Sequence, residues 1–159
     1  MAKDRYAEGR PGKIPPNKYH ELAWIIGEPE IGEDVWIGAF CVIDGSGGLK
    51  IGDSCNISCG VHIMTHDTSR RCITEDRFKN IEYMPVEIGH HVFIGEGSII
   101  LPGTKIGHNS VVGAGSLVIG SDIPPYSVAF GSPVKGYGKV DEEALLRGEF
   151  KTIKTDENR

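Results

Sequence analysis

The stretch IGHHVFIGEGSIILPGTKIGHNSVVGAGS, residues 88–116, returns an aliphatic residue at every sixth position: Ile88, Ile94, Ile100, Ile106 and Val112. Glycine follows directly at 89, 95, 107 and 113. Two places before each aliphatic stands a small or apolar residue, Val92, Ser98, Thr104 and Ser110. An amphipathic helix needs apolar residues three and four apart, and so much Gly and β-branched content works against one. A hairpin protein alternates over short turns and keeps no six-residue phase. What satisfies the pattern is a solenoid of short strands, each ending at a corner that Gly relaxes, with three sixes to a triangular turn. Successive turns then stack at the ordinary strand spacing of about 4.8 Å, with the aliphatic residues inside.

Working outward, the same phase holds at Ile25, Ile31, Ile37 and Ile43, restarts after two extra residues at Ile51, Ile57 and Ile63, and ends at Val118. The companion small or apolar position is filled by Val35, Cys41, Cys55, Val61 and Ser116. Thirteen phased positions predict about four turns. The expected fold class is an all-β solenoid, a parallel β-helix with a loop extruded over residues 64–87. Residues 1–24 read as an N-terminal extension, 25–135 as the coil domain and 136–159 as a C-terminal helix and tail. In DEEALLRGEFKTI, Asp141 is placed to cap that helix, and Leu146, Phe150 and Ile153 form its apolar stripe.

Composition narrows the function classes. With 17 basic against 22 acidic residues the net charge is −5, so no basic face for nucleic acid or an anionic membrane is expected. No apolar run is long enough to cross a bilayer and no signal-peptide core is present, so membrane insertion is not expected. The four cysteines, Cys41, Cys55, Cys59 and Cys72, form no C-x-x-C pair. They predict reduced thiols, a cytoplasmic setting and no metal module.

The repeat breaks at CGVHIMTHDTSRR, residues 59–71. A stacked coil has flat faces and no pocket of its own, so a loop leaving one corner builds a wall, and a His at its foot faces a cleft. His66 holds that place. Imidazole suits removal of a proton from a hydroxyl at neutral pH. His62, His90, His91 and His108 fall on outward positions and read as surface residues. Arg70, Arg71, Arg77 and Lys79 make the loop basic, either to hold a phosphate-bearing ligand or to keep an exposed segment soluble.

Together with IGEDVWIGAF (31–40) and DIPPYSVAFGSPVK (122–135), these segments resemble the hexapeptide-repeat acyltransferases, particularly the maltose and galactoside acetyltransferases. The resemblance spans residues 25–139 and is densest from 85 to 135. It implies a left-handed coil, a homotrimer with active sites in the grooves between neighbouring prisms, and acetyl-CoA as acyl donor. His66 then becomes the catalytic base. Phe93 flanks the pantetheine arm, backbone groups of Glu96 and Ala114 bond its amides, and Lys135 and Lys139 meet the phosphates. The THD spelling resembles the branch that acetylates lipopolysaccharide and polysaccharide sugars. Gly38 and Ser46 stand where the galactoside enzyme binds its sugar through Asn and Asp, which points away from a simple galactoside. The acceptor expected is therefore a sugar hydroxyl or, alternatively, the amine of a nucleotide-linked amino sugar. Two rivals share the architecture. The γ-class carbonic anhydrases pair zinc-binding His in an H-x-x-x-x-H spacing, one residue longer than His62 to His66. A non-catalytic coil acting as a scaffold is the other.

Overall fold

A computed structural model describes residues 14–148. Its strands lie on three faces, each built on five parallel strands. The first holds Trp24–Ile26, Val42–Asp44, His62–Ile63, Ile99–Ile100 and Leu117–Val118. The second holds Glu30–Ile31, Leu49–Ile51, Val86–Ile88, Lys105–Ile106 and Asp122–Ile123. The third holds Trp36–Ile37, Asn56–Ile57, Phe93–Ile94, Val111–Val112 and Ser127–Gly131, extended by an antiparallel return strand, Val134–Lys139. The architecture is the all-β parallel helix expected of the repeat.

The stack is deeper than the spacing predicts: every face carries five parallel strands, so the coil makes five turns rather than about four. Phase counting stops at Val118 because Ile123 follows five residues later instead of six. Ile123 and Ala129 are nonetheless buried and complete the last turn.

Register locks the aliphatic column. Ile43 pairs with Ile63, Ile63 with Ile100 and Ile100 with Val118, each fully buried. At roughly 25 cal/mol per Å² of apolar surface removed from water, such columns dominate the stability of a coil without layered sheets. The companion inward row is filled by Val61 and Val92 and by the thiols of Cys41 and Cys55, whose pKa values burial pushes up. In later turns it changes to Ser and Thr. These hydroxyls stay buried because each finds a carbonyl: Ser98 Oγ donates to Gly113 at 3.0 Å and Thr104 Oγ1 to Leu101 at 2.7 Å.

The glycines that follow the aliphatic column serve close stacking rather than a left-handed backbone. A Cβ on Gly89 would sit 2.6 Å from the His108 amide nitrogen of the next turn. Positive φ falls two residues further on, at Asp34, Ser54, His91, Asn109 and Tyr126 along one edge of the prism.

The coil keeps register through Met64, whose amide donates to Ile100, and recovers it at Val86. Between them the excursion is ordered. His66–Asp67 pairs antiparallel with Glu82–Tyr83, and a short helix spans Ser69–Ile73. Arg70 bonds Glu82 at 3.3 Å and lies 4.2 Å over the Phe78 ring, while Arg71 bonds Asp76 at 3.1 Å. Those two cations are thereby engaged within the loop itself.

At the far end Asp141 caps the helix Glu142–Leu146 through the Ala144 amide at 2.9 Å, as predicted. The proposed apolar stripe is corrected: Leu146 is 88% exposed, and Ala144 is the residue that the helix buries. Phe150 and Ile153 lie outside the described residues. Among the described residues no helix is long and apolar enough to cross a membrane.

Candidate active site

His66 stands where the chain leaves the first face, at the edge shared with the second. Its Nδ1 lies 2.7 Å from Asp44 Oδ2, and its side chain is 32% exposed while that of Asp44 is fully buried. Asp44 ends the strand Val42–Asp44, which pairs with the strand running into the His66 corner. The stacking of two turns thus joins residues 22 positions apart.

The Asp44 carboxylate is saturated with donors. Oδ1 accepts from the Ser46 amide at 3.0 Å and the Ser46 hydroxyl at 2.6 Å. Oδ2 accepts from the Thr65 amide and the Thr65 hydroxyl, each at 2.9 Å, as well as from His66. Burial alone would push this carboxyl up. The Ser46 hydroxyl, the Thr65 and Ser46 amides and the imidazole outweigh it and hold it at about 2. It is therefore an anion at neutral pH and can only accept. The hydrogen between the pair belongs to Nδ1, which leaves the Nε2 lone pair of the neutral ring free to take a proton.

Thr65 ties the corner together. Its hydroxyl accepts from the Gly47 amide at 2.8 Å and lies 2.9 Å from the Asp44 carbonyl oxygen. The two extra residues before Ile51 thus belong to a glycine-rich bulge wrapped around the carboxylate. A Cβ on Gly47 would collide with the Thr65 carbonyl oxygen. Asp67, the acid next to His66, is turned away. Its Oδ1 accepts from the Ser69 amide at 2.6 Å, which holds that carboxyl below its ordinary value.

Asp44 escaped the sequence reading, yet a signal was present. On the first face the residue after each inward aliphatic is Ile26, Asp44, Met64, Leu101 and Ile119. One acid among four apolar residues, at a slip in the phase, marks the place. Recognising it requires knowing which sixes share a face.

The other predicted residues lie elsewhere on the prism. Phe93 is 40% exposed on the third face. Glu96 and Ala114 sit at consecutive corners between the third and first faces. Lys135 and Lys139 are exposed on the return strand. Within one chain these groups and His66 occupy different edges. His62 is exposed on the first face, and His90 stacks on His108 at 4.7 Å along the remaining edge.

Two family models match this chain: bacterial transferase hexapeptide (six repeats) over residues 85–120, and hexapeptide repeat of succinyl-transferase over residues 30–64. Both segments of the chain are thus similar to hexapeptide-repeat transferases. Nodulation protein L of Rhizobium meliloti is 45% identical over 109 residues, covering 68% of this chain and 58% of that protein. A putative acetyltransferase of Saccharomyces cerevisiae is 41% identical over 97 residues, or 60% of this chain and 49% of its own length. The chain thus spans about half the length of these curated relatives. Among solved structures, the N-acyltransferase AntD from Bacillus cereus, in complex with dTDP-4-amino-4,6-dideoxyglucose and coenzyme A, superposes with a TM-score of 0.67. It is 26% identical, covering 81% of this chain and 72% of that one. A galactoside acetyltransferase in complex with coenzyme A gives a TM-score of 0.63 at 28% identity, covering 78% and 65%.

Proposed function

We propose that this hexapeptide-repeat protein transfers an acetyl group from acetyl-CoA to a sugar hydroxyl, with His66 as general base. The observation that carries the reading is the 2.7 Å contact of His66 Nδ1 with a buried, anionic Asp44, which leaves Nε2 as the acceptor. Nε2 takes the hydroxyl proton as the acceptor oxygen forms its bond to the thioester carbonyl carbon. Asp44 stabilises the imidazolium that results. When the carbon–sulfur bond breaks, the same proton returns to the departing thiolate. The ring is then neutral again, and no acyl-enzyme is needed.

Acetyl-CoA supplies the activated acyl group, and the edge bearing Glu96 and Ala114 fits a long, narrow donor. A Cβ added at Gly97 or Gly115 there meets nothing within 4 Å, so the corner is unobstructed. Phe93 offers an apolar wall beside it, and Lys135 and Lys139 offer cations near the end of the coil for phosphates.

Since His66 and this corner lie on different edges, one site built from both would need two copies, in keeping with a homotrimer. The faces differ accordingly. The second presents the alternating charges Glu30, Lys50, Glu87, Lys105 and Asp122. The other two present Trp24, Ile99, Trp36 and Phe93, all more than a third exposed, as an interface would use them. The buried thiols suit the cytoplasm.

A second reading, N-acetylation of a nucleotide-linked amino sugar, draws on the likeness to AntD with its bound amino sugar nucleotide. A deprotonated amine would use the same base. Incubation with acetyl-CoA and a panel of pyranosides and nucleotide sugars, followed by free-thiol release, separates the two. His66→Ala is expected to lose at least about a hundredfold in kcat. Thiol release unchanged in that variant, or absent from the wild type with every acceptor, refutes the proposal.

A further inference from the structure

The two-residue ribbon that opens the excursion places Tyr83 directly across from His66. Opposed residues of an antiparallel pair project from the same side. The two rings accordingly lie 6.3 Å apart, tilted by 55°. Tyr83 is 53% exposed, and its hydroxyl has no hydrogen-bond partner among the described residues. The carbonyl of Thr65 accepts from the Met84 amide at 3.0 Å, so the backbone under this ring is tied to the Asp44 network. On the other flank, the Ser46 hydroxyl lies 3.3 Å from His66 Nδ1 and gives its hydrogen to Asp44.

We infer that Tyr83 is the platform on which the pyranose ring of the acceptor lies. The inference rests on the acetyl-transfer reading. The reacting hydroxyl must come within about 3 Å of the imidazole, so whatever lies on Tyr83 is the ring that bears that hydroxyl. A nucleobase carries no such group. A pyranose does, and its C–H face covers an aromatic face while its remaining hydroxyls reach outward. The free Tyr83 hydroxyl bonds one of these. Tyr83 therefore selects the acceptor, and the donor edge bearing Glu96 and Ala114 does not sense it.

Saturation-transfer NMR with methyl β-glucopyranoside, methyl β-galactopyranoside and UDP-N-acetylglucosamine tests this on the full chain, with UDP as control. Transfer to pyranose C–H protons is expected in wild type for at least one probe. It should persist, weakened, in Tyr83→Phe, which keeps the ring and loses the hydroxyl, and fall at least fivefold in Tyr83→Ala, whose melting temperature stays that of the wild type. No transfer to any pyranose, or undiminished transfer in Tyr83→Ala, overturns the platform. Pyranose binding without thiol release from acetyl-CoA retains the platform and refutes the transfer reading. Thiol release with an acceptor KM unmoved in Tyr83→Ala does the reverse.

Discussion

Asp44→Asn is the sharpest test of the site, because it removes a charge while keeping the shape. Five donor contacts converge on the two carboxylate oxygens. An amide offers one acceptor oxygen and a pair of hydrogens. With its oxygen towards Thr65 and His66, the NH₂ confronts the Ser46 amide and leaves a buried donor orphaned, at about 1–3 kcal/mol. With its nitrogen towards His66, it donates to Nδ1 and moves the ring proton to Nε2, where no base remains.

Either way the forming imidazolium loses its anion. A charge-assisted bond exceeds a neutral one by about 1–1.5 kcal/mol, or roughly tenfold in rate. Partial reversal of the tautomer adds a further factor of about ten to a hundred. The expected loss in kcat is therefore about 10²–10³-fold, short of the ~10⁴ seen when the serine-protease triad is altered in the same way. Both KM values should stay within a few-fold, since Asp44 touches no substrate. Steady-state thiol release with acetyl-CoA and a turned-over acceptor reads all three. A kcat within threefold of wild type would show that the carboxylate does not hold the base. So would a raised acceptor KM at constant kcat.

Other outcomes follow from the same geometry. The Asp44 carboxyl is lowered from 3.8 to about 2, so the folded state binds this proton less readily than the unfolded chain. Its contribution, about 2 kcal/mol at 1.36 kcal/mol per unit, is complete above pH 4 and lost as pH falls from about 4 to 2. Thermal melts across that range should show a decline in the wild type that Asp44→Asn flattens. Thr65→Val keeps the volume but removes the hydroxyl, orphaning the Gly47 amide. It is expected to lose about tenfold in kcat, and Thr65→Ser should recover most of it, as a purely steric role would not allow. Gly47→Ala drives a Cβ into the Thr65 carbonyl oxygen. The bulge must shift, and activity should fall more than the melting temperature does.

The six-residue phase made the coil, its inward rows and the break beside His66 legible without coordinates, because burial on a stacked rung is a local, periodic requirement. Leu146 shows where periodicity misleads: a short helix at the coil's end has no partner surface dictated by its own spacing. The turn count failed at Val118 for a related reason, since a single deletion from the repeat hides the last rung from any phase count. In the sequence Arg70 and Arg71 read equally as ligand contacts or as charges of a soluble loop. Their engagement with Glu82, Phe78 and Asp76 follows from how the loop folds back.

What the chain decided by itself is the prism: aliphatic residues at intervals of six can all be buried together only if each third of a turn repeats. What tertiary structure decided is the candidate site. Asp44 lies 22 positions before His66, and Tyr83 lies 17 after it. They meet because strands one turn apart lie side by side and the excursion returns across its own start. Proximity of that kind is a property of the stack and the ribbon, and no six-residue window contains it.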